Sequence, residues 1–450
     1  MEFISSEKTR DKYDIGNIIE DFQNGVLKDG DEVDIKGAIH NIRDMSDFAF
    51  IILRGGRLEL QCVYAPEDNP SFTLGDIEEE DCVIAHGRIV KEERSRRGFD
   101  VRLLGMTVLS RPAEKLPFAI NKKKLDCNID VLLDNRVITM RHPKEKAIFR
   151  IADGVLAAFR NFLREEGFTE FVAPKIVSAG AEGGADMFEL DYFGRKALLA
   201  QSPQMYKQMM VGVFGKVFTT SPVFRAEKHS TSRHINEFQG LDLEMGFIDS
   251  YEDLMALECR MMRYLFRYLN ENYQAELEMF KKYPLPEIKE IPKIRFMDAK
   301  NLIAETYKRP YRDPNDLEPD EEKLIGKYFL EKFGSPFVFV THYPTVKRPF
   351  YAMDDPENPG ETLSFDLIFN GTEITTGGQR IHDYHEQVAK MEARGMDVSD
   401  FGDYLAMHKY GMPPHGGMGL GMERVVMRIL ELDNIKQATA FPRDIQRLNP

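Results

Sequence analysis

Residues 224–238 have the sequence FRAEKHSTSRHINEF, and apolar, strand-like segments lie on both sides of it, at 217–220 and 242–248. The link is too short for a crossover helix, so we predict that the two strands pair antiparallel. The arginine and the phenylalanine of this stretch could hold a phosphate and stack on a base, because a guanidinium matches phosphate and a ring face matches a flat base. Ion pairs between the two strands would explain the same charged residues equally well.

A second cluster is glycine-rich. Residues 416–424 read GGMGLGMER and precede an amphipathic stretch at 425–432. A dinucleotide-binding fingerprint would require a βαβ unit and an acidic residue about 20 positions later, and the residues that follow offer neither. We therefore expect the glycines to let the backbone pack closely beside a ligand and to deliver Arg424 to it.

The third cluster, residues 373–380 (EITTGGQR), contains a carboxylate and a hydroxyl three residues apart. On a regular strand Glu373 and Thr376 would face opposite sides, so both can bind one cation only if the strand bends near Gly377. Such a pair suits Mg²⁺, which prefers a few hard oxygen ligands together with water and phosphate. A surface position is the alternative explanation for both residues.

In the fourth cluster, Gln204 and Lys207 are one helical turn apart and could converge on one anionic group. An ordinary helix start, with Ser202 as N-cap and Pro203 in the first position, would explain the residues before them.

Length and composition limit the class of protein. The chain has 450 residues, 42% of them hydrophobic and 30% charged, and because single cores stop growing near about 250–300 residues we predict at least two domains. Apolar runs are shorter than the roughly 18–20 residues that span a bilayer, and the first residues lack a signal-peptide pattern, so we expect no membrane partner and a cytoplasmic location. Four cysteines without CxxC spacing indicate neither a disulfide framework nor a zinc site. The net charge of −14 alone argues against a protein that coats nucleic acid.

The pattern along the chain predicts two domains. Five short β segments are predicted at 33–41, 48–54, 58–64, 82–90 and 99–109, which favours a small closed barrel over residues 1–110. Residues 111–140, with Lys122, Lys123 and Lys124, resemble a hinge or linker. Over residues 141–450, strands and helices do not alternate regularly, so an antiparallel sheet flanked by helices in an α+β domain is favoured over a doubly wound fold.

Together these clusters resemble the three signature motifs of class II aminoacyl-tRNA synthetases. The helix and strand that end at Pro174 resemble motif 1, residues 224–238 resemble motif 2, and residues 417–430 resemble motif 3. An OB-fold barrel for anticodon binding ahead of the catalytic domain is the layout of the aspartyl, asparaginyl and lysyl subgroup. Within it, EGGADMF (182–188), QSPQMYKQ (201–208) and GGQRIH (377–382) are similar to aspartyl-tRNA synthetases of the archaeal type.

The resemblance implies a role for each matching residue. Catalysis would rest on Arg225, Glu373 and Arg424. ATP would be bound by Arg225, Glu227, Arg233, His234, Ile235, Phe238, Glu373, Gly421, Met422, Glu423 and Arg424. Aspartate would be bound by Glu182, Gln204, Lys207, Arg225, Asp242, Thr376 and Arg380. Mg²⁺ would be held by Glu373 and Thr376, and the tRNA anticodon by Arg43, Phe50 and Gln61 on the barrel.

The implied activity is an aspartate–tRNA ligase that forms aspartyl-adenylate from ATP and L-aspartate and transfers aspartate to tRNA(Asp), with tRNA(Asn) as a further candidate. Lys207 and Arg380 would favour aspartate because an asparagine amide would point N–H donors at N–H donors. The resemblance also implies a two-fold homodimer through motif 1. Alternatives are an asparaginyl-tRNA synthetase, a synthetase-like ligase that makes asparagine, and an OB-fold RNA-binding protein with a degenerate synthetase domain. The last would predict loss of Arg225, Glu373 or Arg424, and all three are present.

Overall fold

The computed structural model describes residues 10–180, 187–228, 231–310 and 312–449. The chain divides into two compact units, residues 1–126 and residues 127–450. The expected linker, 111–140, spans this division, and its last part is helical where the sequence showed little periodicity: α2 covers Ile129–Asp134 and α3 covers Arg136–Thr139. Among the described residues, none of the helices combines the length and apolar character required to cross a bilayer.

The first unit is a closed five-stranded barrel, as predicted. Its strands, in the spatial order β1-β2-β3-β5-β4, are β1 (Glu32–Asp44), β2 (Ala49–Arg54), β3 (Glu59–Tyr64), β4 (Cys82–Lys91) and β5 (Phe99–Ser110). Alternate residues of β2, Ala49, Ile51 and Leu53, are fully buried, as the period of two requires. Helix α1 (Ile15–Gln23), which was not predicted, packs isoleucines into the barrel core.

The second unit contains an open sheet in the order β12-β13-β14-β15-β16-β11-β10-β6, and a smaller sheet in the order β7-β9-β8. Its strands are β6 (Thr169–Glu170), β7 (Ile176–Val177), β8 (Glu189–Tyr192), β9 (Arg195–Leu199), β10 (Lys216–Phe224), β11 (Glu237–Gly246), β12 (Lys293–Arg295), β13 (Phe337–Thr341), β14 (Ser364–Phe369), β15 (Thr372–Arg380) and β16 (His415–Gly421). Besides α2 and α3, its helices are α4 (Pro143–Glu165), α5 (Gln204–Phe214), α6 (Glu252–Asn272), α7 (Gln274–Met279), α8 (Phe296–Tyr307), α9 (Pro319–Phe333), α10 (Tyr384–Ala393), α11 (Gly402–Tyr410) and α12 (Met422–Leu430).

The larger sheet is antiparallel from β13 to β10, as expected, and mixed at its edges. The outer pairs β12–β13 and β10–β6 are parallel, a feature that the prediction of an antiparallel sheet did not include. The α+β class is confirmed, with helices packed on the sheet.

The main core lies between this sheet and helices α4, α6 and α12. The helical spacing of apolar residues buries Ile148, Ile151, Val155, Phe159 and Phe162 on one face of α4. One face of the sheet is thus covered by these helices. The strand residues of the candidate site lie on the other face.

Candidate active site

A cavity of about 740 Å³ lies over the central strands of the larger sheet. It brings together most of the residues selected from the sequence: Gln204, Lys207, Arg225, Glu227, Arg233, His234, Ile235, Phe238, Asp242, Glu373, Thr376, Arg380, Gly421, Glu423 and Arg424. Met422 is instead buried in the main hydrophobic core and is not among the residues that line the cavity. Glu182 lies outside the described residues.

Lys207, Asp242 and Arg380 line the inner part of the cavity, and the buried Glu244 lies against the two cations. We call these four residues the deep end. Lys207 Nζ donates to Asp242 Oδ1 at 2.9 Å and to the Met418 carbonyl at 3.0 Å. Arg380 Nε donates to Glu244 Oε1 at 2.9 Å, and its Nη2 donates to the Gly417 carbonyl at 2.9 Å. Each cation is therefore already paired with a buried carboxylate.

Glu244 was not selected as a candidate site residue from the sequence. It is fully buried, its Oε2 lies 3.6 Å from Lys207 Nζ, and within the part of the chain described here that oxygen has no hydrogen-bond partner. The signal that could have found it is its spacing, because residues 242 and 244 are two apart on one strand and face the same side.

The glycines of β16 leave the space that the Asp242 and Glu244 carboxylates occupy. A Cβ added to Gly417 would lie 2.1 Å from Glu244 Oε2, and one added to Gly419 would lie 2.9 Å from Asp242 Oδ1. As expected from the glycine-rich sequence, the β16 backbone therefore packs closely here without side chains in between. Its carbonyls at Met418 and Gly417 accept hydrogen bonds from Lys207 and Arg380.

Gln204 and Lys207 both line the cavity, but their side chains have different partners within the protein. The side-chain amide of Gln204 donates to Gln208 Oε1 at 3.1 Å, and Gln208 Nε2 contacts His415 Nε2 at 3.0 Å. Burial lowers the pKa of His415 to about 4, so its neutral ring accepts from Gln208 and donates from Nδ1 to the Pro413 carbonyl. Helix α5 begins at Gln204 with Pro203 in the N-cap position, one residue later than the expected start.

The outer part of the cavity, which we call the phosphate end, contains Arg225, Arg233 and Arg424. Their side chains are 44%, 23% and 31% exposed. Arg225 lies 5.3 Å from the centre of the Phe238 ring and 3.9 Å from Glu227 Oε1, while Arg424 Nη1 donates to Glu373 Oε1 at 3.2 Å. These guanidinium groups remain accessible to a ligand.

Glu373 and Thr376 come together through a β-bulge. The register of β15 on β14 passes from Ile368 opposite Glu373 to Leu367 opposite Thr375, so Ile374 is an extra residue. The bend therefore lies at Ile374 and not near Gly377, where the sequence placed it. As a result Thr376 Oγ1 donates to Glu373 Oε1 at 3.3 Å.

The arginines around Glu373 hold its carboxylate in the ionised form that a bound cation would require. Burial alone would raise the pKa of Glu373, but the charges of Arg424, Arg348 and Arg225 outweigh it and hold that pKa below its usual value. Asp366 was missed from the sequence; it faces Thr376 across the strands and accepts from Arg348 at 2.7 Å. Burial and the charge of Glu373 raise the pKa of Asp366, although Arg348 opposes this. An ionised carboxylate and a hydroxyl supply the hard oxygens that Mg²⁺ prefers.

The back of the cavity is fixed by backbone contacts. Asn236 Nδ2 donates to the carbonyls of Arg225 and Glu227 at 2.7 and 2.9 Å, which closes the base of the 225–236 loop. Glu423 accepts from the Gln239 backbone N–H at 3.0 Å, and burial raises its pKa to about 7. Glu423 therefore ties α12 to β11.

The three residues selected on the barrel share one outer face of β1–β3. Arg43 is directly opposite Phe50, and Gln61 is opposite Ile52, two residues further along β2. Phe50 is half-buried beside two fully buried neighbours, so packing inside the barrel does not account for it. Gln61 Nε2 donates to Asp100 Oδ1 at 3.2 Å.

Comparisons with known proteins agree with this architecture. The relatives include the aspartate–tRNA(Asp/Asn) ligase of Deinococcus radiodurans, 43% identical over 94% of this chain and 96% of that protein. The aspartate–tRNA(Asp) ligase of Pyrococcus abyssi is 37% identical over 94% of this chain and 97% of that protein. Among solved structures, the asparaginyl-tRNA synthetase of Pyrococcus horikoshii complexed with asparaginyl-adenylate has a TM-score of 0.86 and 31% identity, covering 94% of this chain and 97% of that one.

Family models cover both units. The model described as an OB-fold nucleic acid binding domain matches residues 33–109, and the model described as tRNA synthetases class II (D, K and N) matches residues 128–445. The chain therefore belongs to the class II tRNA synthetases of the D, K and N group.

Proposed function

We propose that the protein is an aspartate–tRNA ligase that activates L-aspartate with ATP and transfers it to the 3′ end of tRNA(Asp). The observation that carries this proposal is the deep end, where Lys207 and Arg380 are buried with their N–H donors directed at oxygen atoms. The names of the relatives in Deinococcus radiodurans and Pyrococcus abyssi support the same amino acid.

Selection of aspartate depends on donor geometry more than on net charge, because Asp242 and Glu244 already balance the two cations. An ammonium has three N–H groups, of which Asp242 and the Met418 carbonyl accept two. The third would donate to the β-carboxylate of aspartate. The amide of asparagine would present N–H groups to the same donors, which leaves buried polar groups unpaired and is strongly disfavoured.

For activation, the aspartate α-carboxylate attacks the α-phosphorus of ATP and pyrophosphate leaves. Arg225 would hold the α-phosphate and the attacking carboxylate, Phe238 and Arg424 would enclose the adenine by stacking and cation–π contact, and Arg233 and His234 would meet the outer phosphates. Glu373 and Thr376 would hold Mg²⁺, and a bound Mg²⁺ would neutralise phosphate charge. The side chains thus act by positioning and charge neutralisation.

For transfer, the terminal adenosine hydroxyl of the tRNA attacks the mixed anhydride and releases AMP. Arg43, Phe50 and Gln61 would read the anticodon, since a ring on an exposed strand face suits stacking on an unpaired base. We include tRNA(Asn) as a second candidate substrate and the cytosol as the expected location. We also propose a homodimer through motif 1, supported by Val172 and Ile176, apolar residues after β6 that are 94% and 48% exposed in the single chain.

The test is pyrophosphate exchange with each of the 20 amino acids, followed by charging of purified tRNA(Asp) and tRNA(Asn). We expect exchange with aspartate alone and charging of tRNA(Asp). Exchange with asparagine but not aspartate would contradict the proposal. Size-exclusion chromatography with light scattering tests the dimer separately.

A further inference from the structure

Residues 284–334 contain none of the four clusters described from the sequence, yet the first turn of α9 lies beside the phosphate end. This turn is firmly anchored. Lys300 Nζ donates to both carboxylate oxygens of Glu321 at 2.8 Å and to the Asp316 carbonyl at 3.1 Å, and both charged side chains are buried. Glu318 and Glu321 form a reciprocal capping box at the start of the helix.

A close contact joins α9 to the turn before β15. A Cβ added to Gly326 would lie 2.5 Å from the Gly371 backbone nitrogen, and one added to Gly371 would lie 2.8 Å from Lys323 Cα. Gly371 also has a φ of 71°, which favours glycine. The helix therefore rests directly on the turn that leads into Glu373.

Glu322 uses this position to connect two parts of the site. Its Oε2 accepts from Arg233 Nη2 at 2.6 Å and from the Glu373 backbone N–H at 3.0 Å. Its side chain is only 11% exposed. One carboxylate oxygen thus links the arginine of the 225–236 loop to the strand residue that would hold Mg²⁺.

We propose that Glu322 is a positioning residue that holds Arg233 ready for the outer phosphates of ATP. This inference rests on the proposed function. A guanidinium has five N–H donors, so the Nη2 contact with Glu322 leaves others to bind a second anion at the same time. Holding a long side chain in its binding geometry removes ordering that ATP binding would otherwise have to supply.

The experiment compares Glu322→Gln with the wild type in aspartate-dependent pyrophosphate exchange. We expect the KM for ATP to rise about tenfold and the KM for aspartate to change less than twofold. Affinity for 5′-O-(aspartylsulfamoyl)adenosine, which has no outer phosphates, should also change less than twofold. Asp320→Asn is the matched control, since it neutralises an acidic residue in the same helical turn whose side chain is 62% exposed, and its KM for ATP should equal that of the wild type.

An unchanged KM for ATP, or a lower one, would overturn the inference, as would an equal loss of affinity for ATP and for the sulfamoyl analogue, which would indicate a merely structural role. Arg233→Gln provides a second arm if Glu322→Gln folds poorly: it should raise the KM for ATP at least as much, with unchanged analogue affinity. In a folded double variant that carries both Glu322→Gln and Arg233→Gln, the second substitution should raise the KM for ATP by less than a further twofold. If the wild type itself shows no exchange with aspartate, the proposed function fails before this inference is reached.

Discussion

The two ends of the cavity present their cations differently. At the deep end, the side chains of Lys207, Arg380, Asp242 and Glu244 are at most 8% exposed and form direct pairs. At the phosphate end, Arg225 and Arg424 are 44% and 31% exposed, and Arg225 lies 3.9 Å from its carboxylate neighbour. The deep end, which we propose binds the amino acid, is thus part of the folded core, whereas Arg225 and Arg424 should be replaceable with little effect on folding. Stability and activity should therefore respond together at one end and separately at the other.

The largest effect is expected from Lys207→Met. It removes the partner of Asp242 and leaves the Asp242 and Glu244 carboxylates buried next to an apolar side chain. Breaking a buried pair by removing one partner costs about 3–5 kcal/mol, so urea unfolding should show a loss of that size, and exchange with aspartate should be abolished.

The control for this prediction is the double variant Lys207→Met with Asp242→Asn. Removing the uncompensated charge should restore part of the unfolding free energy but no activity, since the donor for aspartate remains absent. A single variant that keeps wild-type stability would show that the deep end is not part of the core in the sense argued above.

A smaller combined effect is expected from Arg225→Met at the phosphate end. Loss of the charge contact that we propose for the transition state should lower kcat/KM for exchange about 10³-fold, equivalent to about 4 kcal/mol. Because the side chain is 44% exposed, the unfolding free energy should stay within about 0.5 kcal/mol of wild type. Arg263→Met, at a 60% exposed arginine on α6, is the matched control for stability and should leave exchange unchanged. A large stability loss in Arg225→Met would remove the contrast between the two ends.

The smallest effect on the reaction is expected from Glu258→Gln. This residue lies on α6, which packs on the face of the sheet opposite the cavity. Glu258 is fully buried on α6, accepts from Thr375 Oγ1 at 2.5 Å, and burial raises its pKa from 4.5 to about 8. Between these two pH values the unfolded chain has lost this proton while the folded chain retains it, so wild-type stability falls as pH rises through that window. Glutamine has no such proton. The variant's unfolding free energy relative to wild type should rise from pH 5 to pH 8 by an amount on the order of 1 kcal/mol per pH unit.

Urea unfolding at pH 5, 6, 7 and 8 measures this difference, and groups common to both proteins cancel in it. Glu271→Gln, on the exposed side of the same helix, is the matched control. A difference between Glu258→Gln and wild type that stays constant with pH would contradict the prediction.

Local patterns predicted much of this molecule. The bounds of β2, β3, β4 and β5 were each predicted to within one residue, because a short apolar run between turn residues depends only on its neighbours in the chain. Glu244 and Glu322 were missed because their importance comes from partners 51 to 136 positions away, brought close by sheet order and helix packing. Asp366 was missed for a different reason: its partners Arg348 and Thr376 are near in the chain, but the bulge that sets the β14–β15 register has no signal in the composition.

The bare backbone of β16 restricts how this pocket could be altered. Gly416, Gly417 and Gly419 each face atoms that a methyl group would strike, so an alanine at any of them should displace the neighbouring residues. Attempts to change the amino acid that the pocket accepts, by selection or by design, would therefore do best to leave these three positions fixed and vary α5, β11 and the end of β15. An inhibitor directed at the deep end would likewise meet main-chain atoms there, which resistance substitutions cannot easily remodel.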